Sequence, residues 1–421
     1  MHDPFEAWRY RDFRFFVSAR LALTMGILMQ SVIVGWIVYK HTRDPWQLGL
    51  IGLIEAIPTI GVALYGGYLA DIISRRKIIL VAIGVMVVSS GIITYFNFNS
   101  AGTYARFGLI PIYIYVAAIG FCRGFLSSAV SAFGAQLVPK SVYPNMSSWN
   151  SSAWHLGAVI GPAIGGFLYD YFDAGPTCLC FTLLMAVSFV CYLFIPPKPV
   201  ANVLMTEPII ESLKQGIRFV FHNKILLGAI TLDLFAVLFG DAIALLPAFA
   251  DKVLHINAHG MGLLRSAPAL GAITMAIWLA YNPPLHKSGK KLLFAVAMFG
   301  LCMIGFALST NFYLTFFLLA LGGMFDNVSV VIRSTILQTQ TPDEMRGRVS
   351  SINSIFIGSS NEIGSFVSGS LARIFTLVPS VIIGGIASIG VVGIAAKVAP
   401  QLLNYEIRKT DSHSNDNPTN D

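Results

Sequence analysis

The sequence predicts an all-α integral membrane protein, with twelve transmembrane helices in two pseudo-symmetric six-helix halves. Three observations carry this. The 421 residues are 55% hydrophobic and only 12% charged, with a mean hydropathy of +0.70, whereas a soluble domain carries about 25% charged residues. Apolar runs recur at the length of a membrane span, about 20 residues. Lysine and arginine concentrate in alternate connections between those runs. This composition excludes a soluble globular enzyme, a disordered protein and a single-span receptor. The five cysteines (Cys122, Cys178, Cys180, Cys191, Cys302) all lie in apolar runs without the spacing of a secreted disulfide framework. Cys178-x-Cys180 has no histidine or acidic residue in its run to complete a metal or redox site, so no metal is expected.

The elements follow in order. The first fourteen residues are aromatic and charged (Trp8, Arg9, Tyr10, Arg11, Phe13, Arg14), unlike a cleavable signal peptide. Spans are expected at 15–39, 48–70, 78–97, 108–138, 148–170, 176–196, 225–249, 258–281, 292–309, 311–337, 349–374 and 377–398. Lipid cannot satisfy an open backbone, so each span must be a helix. With the N-terminus inside, the inner segments hold 19 lysines and arginines, the outer loops 4 (Lys40, Arg43, Arg106, Lys252), and the spans 5. Positive loops stay in the cytoplasm, so both termini are expected there. The same placement accounts for the net charge of +7 without nucleic acid.

Residues 1–196 form the expected N-terminal half and 225–403 the C-terminal half. Between them, 197–224 is a cytoplasmic linker. Ile210, Leu213, Ile217 and Phe221 stand at helical spacing within it, which predicts an amphipathic helix on the inner membrane surface. The polar tail 404–421 has the composition of a disordered segment. The halves carry a repeat at an offset of 203. It pairs Ser147, Ser148, Asn150, Ser151, Ile160, Gly161, Gly166 and Leu168 with Ser350, Ser351, Asn353, Ser354, Ile363, Gly364, Gly369 and Leu371. Duplicated six-span halves are the plan of one large class of secondary transporters.

After the second span, Gly67-Tyr-Leu-Ala-Asp71-Ile-Ile-Ser-Arg75-Arg76-Lys77 combines a small residue for close helix contact, an acid at a helix end and a basic anchor for anionic headgroups. It resembles the signature G-x-L-A-D-x-x-G-R-[KR] of the major facilitator superfamily. Ser74 stands where glycine is usual, and the second-half counterpart has Leu285 in place of the acid. The resemblance implies that Gly67, Asp71, Arg75 and Arg76 latch a cytoplasmic gate. In the fifth span, Gly157, Gly161, Pro162, Gly165 and Gly166 resemble the G-x-x-x-G-P-x-x-G-G motif of proton-driven exporters in that superfamily. By itself the stripe reads as tight helix packing with a bend at proline. Trp8 to Arg14, Ala244-Leu-Leu-Pro247 and Thr341 to Val349 resemble the branch that contains the enterobactin exporter and related bacterial efflux proteins.

Charge at mid-bilayer costs about 2.5–3.5 kcal/mol or more, so ionisable residues in spans need a reason. The carboxylates are Glu55, Asp233, Asp241, Asp326 and Glu362, and the bases Arg20, Arg123, Arg265, Arg333 and Arg373. Asp233 has no basic residue within a helical turn. Burial penalises the charged form of an unpaired carboxyl, which makes Asp233 the first proton-carrying candidate, ahead of Asp241, Glu55 and Glu362. Arg123 does not deprotonate and needs a counter-charge, either a carboxylate or an anionic substrate. Asp326 and Arg333 stand seven apart, two turns along one helix face, and are expected to partner other helices. Arg20 and Arg373, near span ends, can snorkel.

The resulting expectation is a monomeric secondary transporter of the bacterial inner membrane that needs no cofactor. It exports a small organic substrate, a siderophore or drug, in exchange for protons. Uptake of an iron chelate or metabolite in the same fold remains the alternative. A polytopic membrane enzyme would need a polar catalytic cluster, and none of the eight histidines forms one. No Gly-x4-Gly-Lys-[Ser/Thr] motif is present, so no internal ATPase is expected.

Overall fold

The computed structural model describes residues 3–199, 209–240, 242–282, 286–342, 345–398, 400–403 and 405–406. All regular structure among them is helical: α1 (Arg11–Thr42), α2 (Pro45–Ile72), α3 (Arg75–Phe98), α4 (Ser100–Phe107), α5 (Ile110–Gly134), α6 (Tyr143–Phe172), α7 (Ala174–Leu193), α8 (Ile209–His222), α9 (Lys224–Gly240), α10 (Leu246–Lys252), α11 (Ala258–Tyr281), α12 (Ser288–Leu308), α13 (Phe312–Gln340), α14 (Arg346–Phe375), α15 (Leu377–Val398) and α16 (Pro400–Leu403). Asp241, Leu285 and most of the tail fall outside the described residues, as do the side chains of Gly67 and Asp71.

The bundle follows the expected spans with three informative differences. Among the described residues, ten segments are long and apolar enough to cross a bilayer. The exceptions among the twelve long passages are α6 and α14, the two copies of the sequence repeat. Each has 30 residues, about 45 Å at 1.5 Å per residue, so length is ample and only apolarity is lacking. The seventh span is not one helix. It stops at Gly240 and resumes as α10 after a short 3-10 turn, because Pro247, in the first turn of α10, has no N–H to continue a helical ladder. The connection before α5 contains the short helix α4, held when Tyr104 donates its hydroxyl hydrogen to the Asn97 side-chain oxygen (2.8 Å).

The two halves repeat one pattern of pairing. In the first, α1 packs on α6 and α7, α2 on α5, and α3 on α5 and α7. In the second, α9 packs on α14 and α15, α11 on α13, and α12 on α13 and α15. The halves meet along two seams, α2–α14 and α6–α11. The repeated glycines explain both kinds of contact. Gly161 lies on α1, where an added Cβ would stand 2.7 Å from the Met25 carbonyl oxygen, and its counterpart Gly364 lies on α9, 3.1 Å from the Val237 carbonyl oxygen. Gly166 and Gly369 instead face across the seams, against Gly262 of α11 and Gly49 of α2. Van der Waals packing replaces the hydrophobic effect as the glue between membrane helices, so small residues sit where backbones must touch.

The first and last described residues lie on one face of the bundle, here called the terminal face. Ala7 N–H donates to Asn145 at the start of α6 (3.0 Å), and Lys198 pairs with Asp12 (2.7 Å), tying the end of the first half to its beginning. The linker helix α8 packs Gly216 and Val220 against α14, next to Ile352 and Val349. It leaves Ile217 and Phe221 exposed.

Backbone contact between α11 and α13 gives a direct test. A Cβ on Gly271 would collide with the Ala320 carbonyl, whereas one on Gly61 meets nothing within 4 Å. Overpacking costs about 1–3 kcal/mol. Gly271→Ala is expected to lower the thermal midpoint of the purified protein by several degrees, and Gly61→Ala to leave it unchanged in the same scanning fluorimetry experiment.

Candidate functional site

Glycines bring three charged side chains together near the middle of the bundle. On α5, Gly120 and Gly124 flank Arg123. A Cβ on Gly120 would collide with the Glu55 carbonyl, and one on Gly124 would stand 2.7 Å from the Thr59 carbonyl oxygen, so α2 and α5 touch backbone to backbone. Thr59 locks the contact by donating to the carbonyls of Glu55 (2.7 Å) and Gly120 (2.8 Å). One turn before Glu55, Gly52 faces α14, where a Cβ would lie 2.7 Å from the Ser365 Cβ and 2.9 Å from the Glu362 carbonyl oxygen. Three helices thereby place Glu55, Arg123 and Glu362 within reach of one another.

Arg123 Nη1 donates to the Glu55 carboxylate within its own half and to Glu362 Oε1 of the other half at 3.1 Å. Glu55 is the closer partner. The side chains of Glu55 and Glu362 are 12% and 18% exposed, but that of Arg123 is 38% exposed. An arginine this open in mid-bundle borders a solvent-accessible space. Arg265 of α11 adds a second positive field at Glu362. The cluster therefore spans both halves and changes its net charge by one when a single carboxylate takes a proton.

On the terminal side of the Gly49–Gly369 and Gly52–Ser365 contacts, α2 and α14 no longer touch at their glycines, Gly61 meeting nothing within 4 Å. Gly358, on the same face of α14 two turns closer to the terminal end, meets nothing within 4 Å. At the opposite face the halves are clasped. Arg43 pairs with Asp251 (2.5 Å), Asn257 donates to Asp170 (2.6 Å), and the Arg373 guanidinium lies 5.0 Å from the Trp46 ring centroid. Toward the open end, Ser147, Ser148, Ser151 and Ser152 of α6 and Ser350 and Ser354 of α14 are exposed. Hydroxyls at the depth of the bilayer are better placed against water than lipid, which accounts for the polarity of these two helices.

The other expected residues divide. Asp233 is not an unpaired carboxyl: Arg333 of α13 forms an ion pair with it, and the two side chains are 9% and 5% exposed. The pairing crosses from α9 to α13, and spacing along one chain does not show it. Arg333 does serve another helix, as expected. Asp326 lines a small cavity with Asp233 inside the second half. Asp241 lies outside the described residues. Arg123 finds its counter-charge in carboxylates, so no polyanionic substrate is required to neutralise it. Of the gate motif, Arg75 donates to the Ala132 carbonyl (3.1 Å) and Arg76 to the Leu193 carbonyl (2.9 Å). Both arginines thus sit at helix C-termini, where a cation is favoured. Of the five residues in the α6 motif, Gly157, Gly161 and Gly165 pack on α1, while the Pro162 carbonyl and Gly166 face Gly262 of α11. The roles of Gly120 and Gly52 emerge only from the packing. Gly120 and Gly124 do form a small-x-x-x-small pattern around Arg123, a signal the sequence carries.

Residues 2–419 match the sequence pattern of a family described as transmembrane secretion effector. The enterobactin exporter EntS of Shigella flexneri is 28% identical over 379 residues, 87% of each chain. That of Citrobacter koseri is 27% identical over 382 residues, 89% of this chain and 88% of its own. Among solved structures, a POT family transporter in complex with 5-aminolevulinic acid matches with a TM-score of 0.75 at 13% identity, covering 93% of this chain and 97% of that one. A bacterial homologue of the human lysosomal transporter Spinster, inward-facing and unoccupied, matches at 0.67 and 12% identity, covering 93% and 96%.

Removing Arg123 would leave two carboxylates facing each other without their shared cation. Arg123→Ala is expected to destabilise the protein by about 2–4 kcal/mol, read by thermal or chemical denaturation. Adding Glu55→Gln and Glu362→Gln to that variant should restore most of the loss.

Proposed function

This chain belongs to the transmembrane secretion effector family of the major facilitator superfamily, and from that premise we propose that it exports a small, hydroxyl-rich organic compound in exchange for protons. The relatives are named as exporters of enterobactin, and the class we favour for this chain is a siderophore carrying phenolic hydroxyls. The observation that supports this reading is the exposed Arg123 bridging Glu55 and Glu362 across the two halves.

The chemistry sets the direction of coupling. A phenolic hydroxyl has a pKa near 10 and stays protonated at neutral pH, so it donates hydrogen bonds. An ionised Glu362 accepts them, and a protonated one does not accept them as well. Proton and substrate then compete for Glu362, which is the requirement for exchange. Arg123 supplies donors to the substrate's oxygens. A polyanion would reverse this logic, because it would favour the protonated, more positive cluster and travel with the proton. Glu362 is the better exchanging group than Glu55, being the looser and more exposed of Arg123's two partners.

The basic terminal face is assigned to the cytoplasm by the positive-inside rule, so this conformation faces inward in a bacterial inner membrane. Substrate enters from the cytoplasm, reaches the cluster along the polar faces of α6 and α14, and is released after the clasp at the opposite face opens. The glycine seams α2–α14 and α6–α11 are the surfaces on which a monomer's halves rock. With about 2.3 kcal/mol per charge per 100 mV, one proton crossing ~150 mV releases roughly 3.5 kcal/mol. At ~1.4 kcal/mol per decade, that sustains a gradient of a few hundred-fold.

The test uses sealed inside-out vesicles made acidic inside and loaded with a pH-sensitive dye. Adding a catechol siderophore is expected to release protons from vesicles containing the native protein. Glu362→Gln should reduce that proton release at least tenfold, and Asp233→Asn should reduce it less. Substrate accumulation with no proton movement at any siderophore concentration would rule out exchange and favour uniport or uptake.

A further inference from the structure

The α6 wall carries an aromatic group that the Arg123 cluster does not use. Trp154, Ala158, Gly161, Gly165 and Tyr169 stand at i, i+4, i+7, i+11 and i+15, on one face of α6. The last four are buried, Gly161 and Gly165 against α1. Trp154 is the member of this face nearest the start of α6, and it is 43% exposed. Lipid does not account for that exposure. The exposed apolar residues Leu156, Ile164, Phe167 and Tyr171 form a stripe of their own at i, i+8, i+11 and i+15, centred roughly 140° around the helix from the first. Trp154 therefore lies where the packed, inward face of α6 loses its cover, and its indole faces the space between the halves.

Two polar groups beside the indole lack partners. The His155 ring stands edge-on to that of Trp154, with centroids 5.0 Å apart and 83° between the planes. Its Nδ1 is buried and has no hydrogen-bond partner among the described residues. The side-chain oxygen of Asn150, one turn before Trp154, is in the same condition. A buried polar atom left unbonded is costly, and both are placed to be satisfied by a ligand lying on the indole. The position of α14 that repeats His155 is Gly358, where an added Cβ meets nothing within 4 Å, so the second copy of the repeat puts no side chain into that room.

We propose that Trp154, His155 and Asn150 form a subsite for a hydroxylated aromatic ring of the exported compound. This rests on the space between the halves being the substrate route, and it adds the group that selects one substrate class over another. The indole offers a flat apolar face, which an aromatic ring covers by offset stacking at about 4.5–7 Å between centroids. An aliphatic chain gains burial there but not the matched quadrupoles. Hydroxyls on the ring donate to the Asn150 oxygen and bond the His155 imidazole. None of the three side chains is a carboxylate, so an organic cation finds no counter-charge among them.

Calorimetric binding to the purified protein in detergent, at one pH and without a proton gradient, provides the test. The probes are a tris-catechol siderophore and a trihydroxamate siderophore that carries no aromatic ring. The native protein is expected to bind the first about tenfold more tightly. Trp154→Ala should weaken catechol binding by about that factor and leave hydroxamate binding unchanged. Trp154→Phe should keep the preference and Trp154→Leu should lose it, a comparison that decides the matter if the alanine variant does not fold. His155→Ala should weaken catechol binding about fivefold. Native catechol affinity in Trp154→Leu would overturn the proposal. So would an equal loss for both siderophores, which marks a purely structural tryptophan, or a native protein without preference between them. Binding needs no proton movement. A Trp154-dependent preference in a protein that releases no protons from vesicles would therefore sink the exchange and keep the subsite. Exchange that persists alongside native catechol affinity in Trp154→Leu would do the reverse.

Discussion

An arginine halfway through a membrane bundle has to be neutralised where it stands, because it cannot deprotonate and cannot reach the headgroups from mid-helix. Arg123 meets this requirement with one carboxylate from its own half and one from the other. The charge requirement thereby becomes a mechanical link. Any movement that parts α5 from α14 also parts Glu362 from Arg123. Glycines hold the three helices close on one side of it, and an open space borders it on the other.

The seams follow the same logic. Two polar helices, α6 and α14, each contact the first helix of their own half with one face and the opposite half with another. Such helices do not need to be apolar all round, since two faces of each are taken up by other helices. Their serines are exposed near the terminal face. The repeated glycines divide accordingly: Gly161 and Gly364 serve packing within a half, and Gly166 and Gly369 serve the contact between halves. The opposite face is closed by separable contacts, among them the half-exposed Arg43–Asp251 pair. Exposed ion pairs are worth about 0–1 kcal/mol, which suits a clasp that has to open in each cycle.

Several of these features are legible in the amino-acid sequence. Apolar run lengths and the loop bias of lysine and arginine place the spans to within a few residues, and the repeat identifies the two special helices. Arg123, Glu55 and Glu362 each stand out as costly charges needing a reason. Their grouping is not legible, because Glu362 lies 239 residues from Arg123 in the chain. The expectation that Asp233 is unpaired fails for the same cause. Its partner Arg333 is far away in sequence but adjacent across α9 and α13. The unbroken seventh span fails for a local reason, the proline at position 247, whose presence is visible but whose effect depends on the turn before it.

By itself the sequence determined how many residues the bilayer would accept in each pass, which connections carry the positive charge, and that buried charges had to be compensated. Those are properties of composition and period, and each is decided locally by the cost of exposing backbone or charge to lipid. Only the tertiary structure decided which charges compensate which, and which glycines are seams rather than packing. Those outcomes depend on helix–helix approach distances of a few ångströms. Such distances are set jointly by residues hundreds of positions apart, and no window along the chain contains them.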